Sequence, residues 1–260
     1  MKIGFRTGGF PTYGTVEILR QLKEIGYDGV ELCFEHSDVR PEDMGEEQAQ
    51  FIQHVADDLG IEIASLSYHA DNLDPVRRDE NIGRILRLAP SFRTKVFIIN
   101  SRRTEPGRQT EQRREFERRL RELTHVAEGQ GLRLAVEPEP GMFVEGTKEM
   151  KTLLETVASP ALAVNLDVGH AFITDEDLCA SVRELGPAIA HTHIEDIADR
   201  AHKHLVPGEG DIDFAALRAA FEDIGYQGYY TIDLFAIGDD PAGWARRGLS
   251  GLKRVFGLEG

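Results

Sequence analysis

The sequence contains little cysteine and no long apolar run. Only two cysteines occur among 260 residues, Cys33 and Cys179, so disulfide bonds cannot be what stabilises a chain of this length. No stretch approaches the roughly 18 consecutive apolar residues of a membrane-spanning helix, and the N-terminal segment has no apolar signal core. We therefore expect a cytoplasmic protein without a membrane partner.

Basic residues are also scarce relative to acidic ones. The chain has 30 Lys+Arg against 45 Asp+Glu, which gives a formal net charge of −15. A surface this acidic repels phosphate backbones and anionic lipid headgroups, so we expect neither nucleic acid nor a membrane surface as a partner. The apolar share of 41% suffices for a large core and excludes a disordered chain.

Short apolar segments alternate along the chain with longer amphipathic ones. The predicted strands are Lys2–Arg6, Gly29–Cys33, Glu62–Ser67, Lys95–Asn100, Arg133–Glu137, Ala163–Asp167, Ala190–Ile194 and Tyr229–Leu234. They start about 30 residues apart, the size of one βα unit, so the pattern predicts a single (β/α)₈ barrel domain over residues 1–260. A doubly wound open sheet is the alternative. That fold usually has a glycine-rich phosphate loop after its first strand, and Thr7–Pro11 is not one.

The last four predicted strands each carry ionisable residues on one face and apolar residues on the other. Glu137, Asp167, His193 and Asp233 lie on the polar faces, each at or near the C-terminal end of its strand. If the apolar faces pack against the helices, these four side chains point into the barrel. Barrel active sites are built at this end of the strands, so we expect the four to converge there.

Three carboxylates in close proximity cannot all stay ionised without a compensating cation. A divalent metal ion bound by Glu137, Asp167, Asp233 and His193 satisfies this requirement. The oxygen and nitrogen ligands suit Mn²⁺, Mg²⁺, Co²⁺ or Zn²⁺. The alternative is four separate polar residues that pair with Arg133 or with lysines.

Further polar residues follow other predicted strand ends. His69 comes directly after the third strand, His170 lies three residues after Asp167, and His204 follows the seventh strand. A lone histidine in a loop can equally be a surface or helix-capping residue. Arg102 follows the fourth strand and could hold a substrate phosphate or carboxylate, or it could simply open the arginine-rich helix that comes next.

Several motifs resemble the xylose isomerase-like TIM-barrel superfamily, which contains sugar phosphate isomerases and epimerases, some dehydratases and AP endonuclease family 2. The motifs are Gly26–Leu32, Leu134–Pro138, Asn165–His170, His191–Asp196 and Gly208–Phe214. The resemblance covers nearly the whole chain. It is specific for the superfamily rather than for one activity.

The resemblance implies that Glu137, Asp167, His193 and Asp233 bind one divalent metal ion and that His170 lies beside the substrate. In the epimerases of the superfamily, the carboxylates of strands five and eight also move the proton, so Glu137 and Asp233 are the expected acid–base pair. The superfamily usually has glutamate on strand eight. Aspartate is shorter by one methylene group, which puts the second base in question.

These features predict a metal-dependent isomerase or epimerase acting on a sugar or a related polyhydroxy carbonyl compound, with Glu137, Asp233 and His170 as catalytic residues. We expect His69, His204 and Arg102 to contact the substrate. A dehydratase of the inosose or dehydroshikimate type is the main alternative. Further alternatives are a non-catalytic barrel that binds a metal or a polyol, and an AP endonuclease. The protein could also form a homo-oligomer.

The AP endonuclease alternative depends on a three-metal cluster with additional histidines. His69 and His204 match two of the positions that the resemblance implies for this cluster. His202 stands where the cluster uses aspartate, and Asn100 and Ser101 stand where it uses histidine. Together with the net charge of −15, these departures argue against activity on DNA.

Overall fold

Eight parallel strands close into a barrel in the order of the sequence, and the first strand pairs with both the second and the eighth. The computed structural model of the protein describes residues 1–234 and 240–258. Its strands are β1 Lys2–Arg6, β2 Gly29–Cys33, β3 Glu62–Ser67, β4 Val96–Asn100, β5 Arg133–Glu137, β6 Leu162–Asp167, β7 Ile189–Ile194 and β8 Tyr229–Ile232. The predicted (β/α)₈ barrel is thereby confirmed.

Amphipathic helices surround the strands. In the described residues they are α1 Thr15–Ile25, α2 Glu46–Leu59, α3 Pro75–Leu88, α4 Gln109–Gly129, α5 Thr147–Val157, α6 Val168–Thr174, α7 Leu178–Leu185, α8 Phe214–Asp223 and α9 Pro241–Val255. Helix α1 buries Ile18, Leu19 and Leu22 and ends at Gly26, whose φ of +106° favours glycine. No helix in the described ranges is both long and apolar enough to cross a membrane.

Two apolar layers flank the strands. The larger core packs the outward strand faces, such as Phe97 and Leu134, against the helices. A smaller cluster of Val96, Ile98, Ala135 and Ala163 lies on the opposite faces of β4–β6. Because side chains alternate along a strand, this cluster fills the lumen on the same faces that carry polar groups further along.

The strand register places the polar strand ends at one level. Asp167 pairs with His193 across β6 and β7, and Asn100 pairs with Glu137 across β4 and β5. Strand β8 ends at Ile232, two residues before the predicted end. Beyond it, the backbone N–H of Asp233 still donates to the carbonyl oxygen of Ile194 on β7 at 3.2 Å, and the carbonyl oxygen of Asp233 lies 2.8 Å from His204 Nδ1.

Candidate metal and active site

The four predicted metal ligands converge at the C-terminal end of the barrel. His193 Nδ1 lies 3.3 Å from Glu137 Oε2, 3.7 Å from Asp167 Oδ2 and 3.8 Å from Asp233 Oδ2. All four side chains are buried. The structure therefore brings together the set that the strand faces predict, with three carboxylates around one imidazole nitrogen.

The donor set is suited to a cation. Asp167 Oδ2 and Asp233 Oδ1 are buried and accept no hydrogen bond from the described residues. The ligand atoms of Glu137, Asp167 and His193 lie within 4.8 Å of one another. Buried carboxylate oxygens without donors are unfavourable unless a cation compensates them, so these residues fit a divalent metal ion.

Neighbouring charges in this cluster strongly shift the pKa values of Glu137 and His193. Burial by itself raises the pKa of Glu137, but the nearby His193 and His69 outweigh it and hold that pKa well below its usual range. Burial likewise disfavours the charged form of His193, yet Glu31 and Glu137 raise the pKa of its imidazole well above the usual value. These carboxylates therefore favour the protonated form of His193 when no metal ion is bound.

His69 and His170 flank Glu137. His69 Nε2 lies 3.2 Å from Glu137 Oε2, and His170 Nδ1 lies 3.5 Å from Glu137 Oε1. Burial lowers the pKa of His69, but the Glu137 carboxylate raises it to about 9 overall. Asn165 also donates to Glu137 Oε2 at 2.7 Å. Both carboxylate oxygens of Glu137 therefore have a polar neighbour. These neighbours fix the orientation of the carboxylate, which a general base needs.

His204 lies beside the strand-eight carboxylate. Its Nδ1 is 2.8 Å from the backbone oxygen of Asp233 and 3.9 Å from Oδ2 of the same residue. His202 approaches from the same loop, and its Nε2 lies 2.9 Å from Nε2 of His170. His170, His202 and His204 form a second group whose ligand atoms lie within 4.8 Å of one another.

Arg102 follows β4 and borders a small cavity beside the barrel. The cavity has a volume of about 20 Å³ and is also lined by Arg78, Asp79, Phe116 and Phe143. Among the contacts of the described residues, none joins its side chain to the four predicted ligands. Its role as a substrate-binding residue stays a prediction.

Three residues on other parts of the barrel are functional candidates that the sequence analysis does not identify. Glu31 on β2 accepts a hydrogen bond from His193 Nε2 at 2.8 Å, and Arg6 at the end of β1 donates to Glu31 at 3.0 Å. Glu195 follows β7 and accepts from the backbone N–H of Gly169 at 2.6 Å. The side-chain alternation that predicts an inward-facing Glu137 also applies to Arg6 and Glu31. Arg6 lies on the same strand face as Gly4, and Glu31 lies on the same face as Gly29.

A family model described as "Xylose isomerase-like TIM barrel" matches residues 19–255. The chain belongs to this family. The match includes the strands that carry Glu137, Asp167, His193 and Asp233, so the convergent cluster lies within the part of the chain that the family shares.

Several proteins similar in sequence to this chain carry names of epimerases or isomerases. A fructoselysine 3-epimerase of Escherichia coli O157:H7 is 25% identical over 278 residues, which covers 98% of each chain. A Mus musculus protein named as a hydroxypyruvate isomerase is 30% identical over 118 residues, covering 42% of this chain and 41% of its own length. The crystal structure of D-psicose 3-epimerase with D-tagatose from Clostridium cellulolyticum H10 superposes with a TM-score of 0.82 at 17% identity and covers 98% of this chain and 99% of its own. This last likeness concerns the fold.

Asn100 and Ser101 at the end of β4 stand where the resemblance to an AP endonuclease implies a histidine. The side chain of Asn100 donates to Asp71 and Glu139 and accepts from Arg78. The hydroxyl of Ser101 accepts from the backbone N–H of Val144. Both side chains are thus engaged in hydrogen bonds within the protein.

Proposed function

We propose that the protein is a divalent-metal-dependent isomerase or epimerase of a sugar or a related polyhydroxy carbonyl compound. The observation that carries the proposal is the convergence of the carboxylates of Glu137, Asp167 and Asp233 on His193 Nδ1. A divalent ion bound by these four residues would supply positive charge beside two neighbouring oxygens of a hydroxy-ketone or hydroxy-aldehyde. The donor set accommodates Mn²⁺, Mg²⁺, Co²⁺ or Zn²⁺.

The relatives support a reaction of this class. The fructoselysine 3-epimerase matches along 98% of both chains, and its name states an inversion at one carbon of a sugar derivative. Inversion beside a carbonyl group requires that a proton leave one face and return to the other. A pair of acid–base groups on opposite sides of the substrate performs both steps.

Glu137 is the proposed base. Its carboxylate takes the proton from the carbon beside the carbonyl group, and the electron pair of the broken C–H bond moves onto the carbonyl oxygen to form an enediolate. Asn165 and His69 hold Glu137 Oε2 from two sides, which fixes the orientation of the carboxylate. In an epimerase, Asp233 or His170 then returns a proton to the opposite face of the same carbon. In an isomerase, the proton returns to the former carbonyl carbon, and the hydroxyl proton of the neighbouring carbon moves to the former carbonyl oxygen, so that the new carbonyl group forms at that neighbouring carbon.

Residues around this pair would recognise the substrate. His69 and His204 lie next to Glu137 and Asp233, where they can bind hydroxyl groups of a bound sugar. Arg102 would bind an anionic group of the substrate at the rim of the small cavity beside Arg78 and Phe116.

Deuterium uptake from D₂O into D-fructose or D-tagatose, with and without Mn²⁺, tests the proposal. We expect metal-dependent exchange that Glu137→Gln abolishes and that the surface variant Glu149→Gln, on α5, retains. Undiminished exchange in Glu137→Gln contradicts the assignment of the base. A product lighter by one water identifies the dehydratase alternative, which shares the first proton transfer.

Two further outcomes identify the remaining alternatives. Sugar binding without exchange in the Mn²⁺-loaded protein would favour a non-catalytic polyol-binding barrel. Incubation with DNA that contains an abasic site should leave the strand intact, and cleavage would favour an endonuclease.

A further inference from the structure

Arg78 on α3 carries a buried guanidinium group whose hydrogen-bond acceptors are all neutral. The residue is 2% exposed. Its Nε donates to the backbone oxygen of His69 at 2.6 Å, and its Nη2 donates to the backbone and side-chain oxygens of Asn100 at 2.9 and 2.7 Å. Within residues 1–234 and 240–258, no carboxylate forms an ion pair with Arg78. A buried positive charge is unfavourable unless a negative charge compensates it.

Two further arginines line the same small cavity as Arg78. Arg102 follows β4, and its guanidinium group forms no hydrogen bond or ion pair with the described residues. Arg119 on α4 pairs with Glu122 through Nη1 at 3.0 Å, but its buried Nε has no hydrogen-bond acceptor in the described part of the chain. The hydrogen bonds of Arg78 use Nε and Nη2, which leaves Nη1. Each of the three guanidinium groups thus keeps a donor nitrogen for a ligand.

Two acidic residues also line the cavity, and both carboxylates reach solvent. The Asp79 side chain is 39% exposed, and its Oδ2 lies 3.6 Å from Arg119 Nε, beyond ordinary hydrogen-bond length. Glu115 on α4 is exposed. The lining residues therefore carry a net positive charge, although the chain as a whole has a formal net charge of −15.

The positive charges of Arg78 and Arg102 lie close enough to affect each other. Burial is the main cause of the lowered pKa of Arg78, and Arg102 lowers it further, although Asp71 opposes both. Arginine nevertheless stays protonated at neutral pH. Two neighbouring cations at the edge of one cavity favour an anion between them.

The volume of the cavity limits what it can bind. It is about 20 Å³, which suffices for one water molecule or one monatomic ion and is far too small for a sugar. A water molecule would accept hydrogen bonds from the arginines but would leave the charge of Arg78 uncompensated. A halide ion accepts hydrogen bonds from several donors and compensates that charge as well.

We propose that Arg78, Arg102 and Arg119 bind one monatomic anion, chloride, in this cavity. The proposal goes beyond the proposed function and does not depend on it. The ion would connect the segments that follow β3 and β4, because Arg78 also holds the backbone oxygens of His69 and Asn100. An ion that binds only the folded state shifts the unfolding equilibrium toward that state, so chloride should stabilise the fold.

The first measurement is an anomalous difference map from crystals grown with bromide in place of chloride, because bromide scatters anomalously and has the same charge. It compares wild type with Arg102→Gln, which changes a half-buried side chain, and with the control Arg114→Gln. Arg114 is an exposed arginine of α4 that is not among the residues lining the cavity.

The second measurement is the melting temperature of the same three proteins in sodium chloride and in sodium gluconate at equal ionic strength. Gluconate is too large for the cavity. The comparison therefore separates anion binding from general screening of the acidic surface, which depends on ionic strength alone.

We expect a bromide peak in contact with Arg78, Arg102 and Arg119 in wild type and in Arg114→Gln, and no peak there in Arg102→Gln. Chloride should raise the melting temperature of wild type and of Arg114→Gln by about 2–4 °C relative to gluconate. Arg102→Gln should lose most of this rise, because it removes one of the three positive charges.

An ordered water molecule at this position, or equal melting temperatures of wild type in the two salts, would overturn the proposal. A bromide peak without a chloride effect on wild type would thus indicate an adventitious ion only. Bromide and a chloride effect retained in Arg102→Gln would overturn the assignment of the three arginines. Neither measurement uses a sugar or a divalent metal ion, so failure of the proposed function leaves these outcomes unaffected.

Discussion

His193 Nε2 lies 2.8 Å from Glu31 Oε2, although 162 residues separate the two side chains in sequence. The contact spans the lumen from β7 to β2 and leaves His193 Nδ1 facing the three carboxylates. Histidines that bind metals commonly donate their second ring N–H to a carboxylate, which fixes the tautomer and the ring orientation. Glu31 is placed to do this for His193.

Replacing Glu31 should therefore weaken metal binding without removing any metal ligand. We expect Glu31→Gln to raise the Kd for Mn²⁺ about 10- to 100-fold, the usual effect of losing such a partner. The measurement is a titration followed by electron paramagnetic resonance. The control is Glu62→Gln, which alters an exposed glutamate paired with Lys2. Equal affinities in Glu31→Gln and the control would show that Glu31 does not support the site.

Metal binding should stabilise the fold through the same residues. Mn²⁺ at about 100 times its Kd is expected to raise the free energy of unfolding of wild type by about 2.7 kcal/mol. Asp167→Asn and His193→Ala should lose this increment because each removes a ligand. Asp177→Asn, which changes only the cap of α7, should keep it. Urea unfolding with and without Mn²⁺ gives the increments, and an equal increment in Asp167→Asn contradicts the assignment.

Asp196 organises the loop that carries His202 and His204. Its carboxylate accepts hydrogen bonds from the backbone N–H groups of Ile197, Gly208, Gly210 and Ile212. Asp196→Ala leaves these donors without their acceptor, so we expect a loss of about 3–5 kcal/mol in the free energy of unfolding. Asp196→Asn should lose less because its amide keeps one acceptor oxygen.

The control for this loop is Asp211→Asn, at an exposed carboxylate that accepts a hydrogen bond from the backbone N–H of Asp199. Denaturant unfolding measures both variants. If Asp196→Ala is as stable as Asp211→Asn, the loop does not depend on the buried carboxylate.

Glu195 makes stability depend on pH in the metal-free protein. Burial, together with the neighbouring Asp167 carboxylate, raises the pKa of Glu195 well above its usual value. A carboxyl group whose pKa is higher in the folded than in the unfolded state contributes most to the free energy of unfolding below its unfolded pKa, near 4.3. This contribution is lost as the pH rises through the pKa of the folded state.

We therefore expect Glu195→Gln to gain stability relative to wild type as the pH increases from about 4 to 8. The neutral amide preserves the acceptor for the backbone N–H of Gly169. Thermal unfolding of both proteins in the presence of a chelator gives the comparison. Parallel stability curves across this range would contradict the raised pKa.

The sequence was sufficient for the fold because the barrel repeats one simple pattern. Apolar strand segments and amphipathic helices recur at the spacing of a βα unit, and the predicted strand bounds differ from the observed ones by at most two residues. The convergence of Glu137, Asp167, His193 and Asp233 followed from side-chain alternation on four strands together with the common level of strand ends in a barrel. Their chemical roles remain predictions.

The remaining features depend on contacts that no local pattern encodes. Glu195 lies beyond the end of β7, and its burial results from packing against Gly169, where a Cβ atom would collide with the Glu195 carboxylate. The direction of the chain after β4 takes Arg102 into a side pocket. Arg6 and Glu31 differ in this respect, since each continues the inward face of its strand and follows the same alternation as Glu137.

The most direct test of the metal site is an anomalous difference map from crystals grown with Mn²⁺. We expect one peak in contact with Glu137, Asp167, His193 and Asp233, and we expect Asp167→Asn to lose it. The absence of a peak there, or a peak confined to His170, His202 and His204, would contradict it.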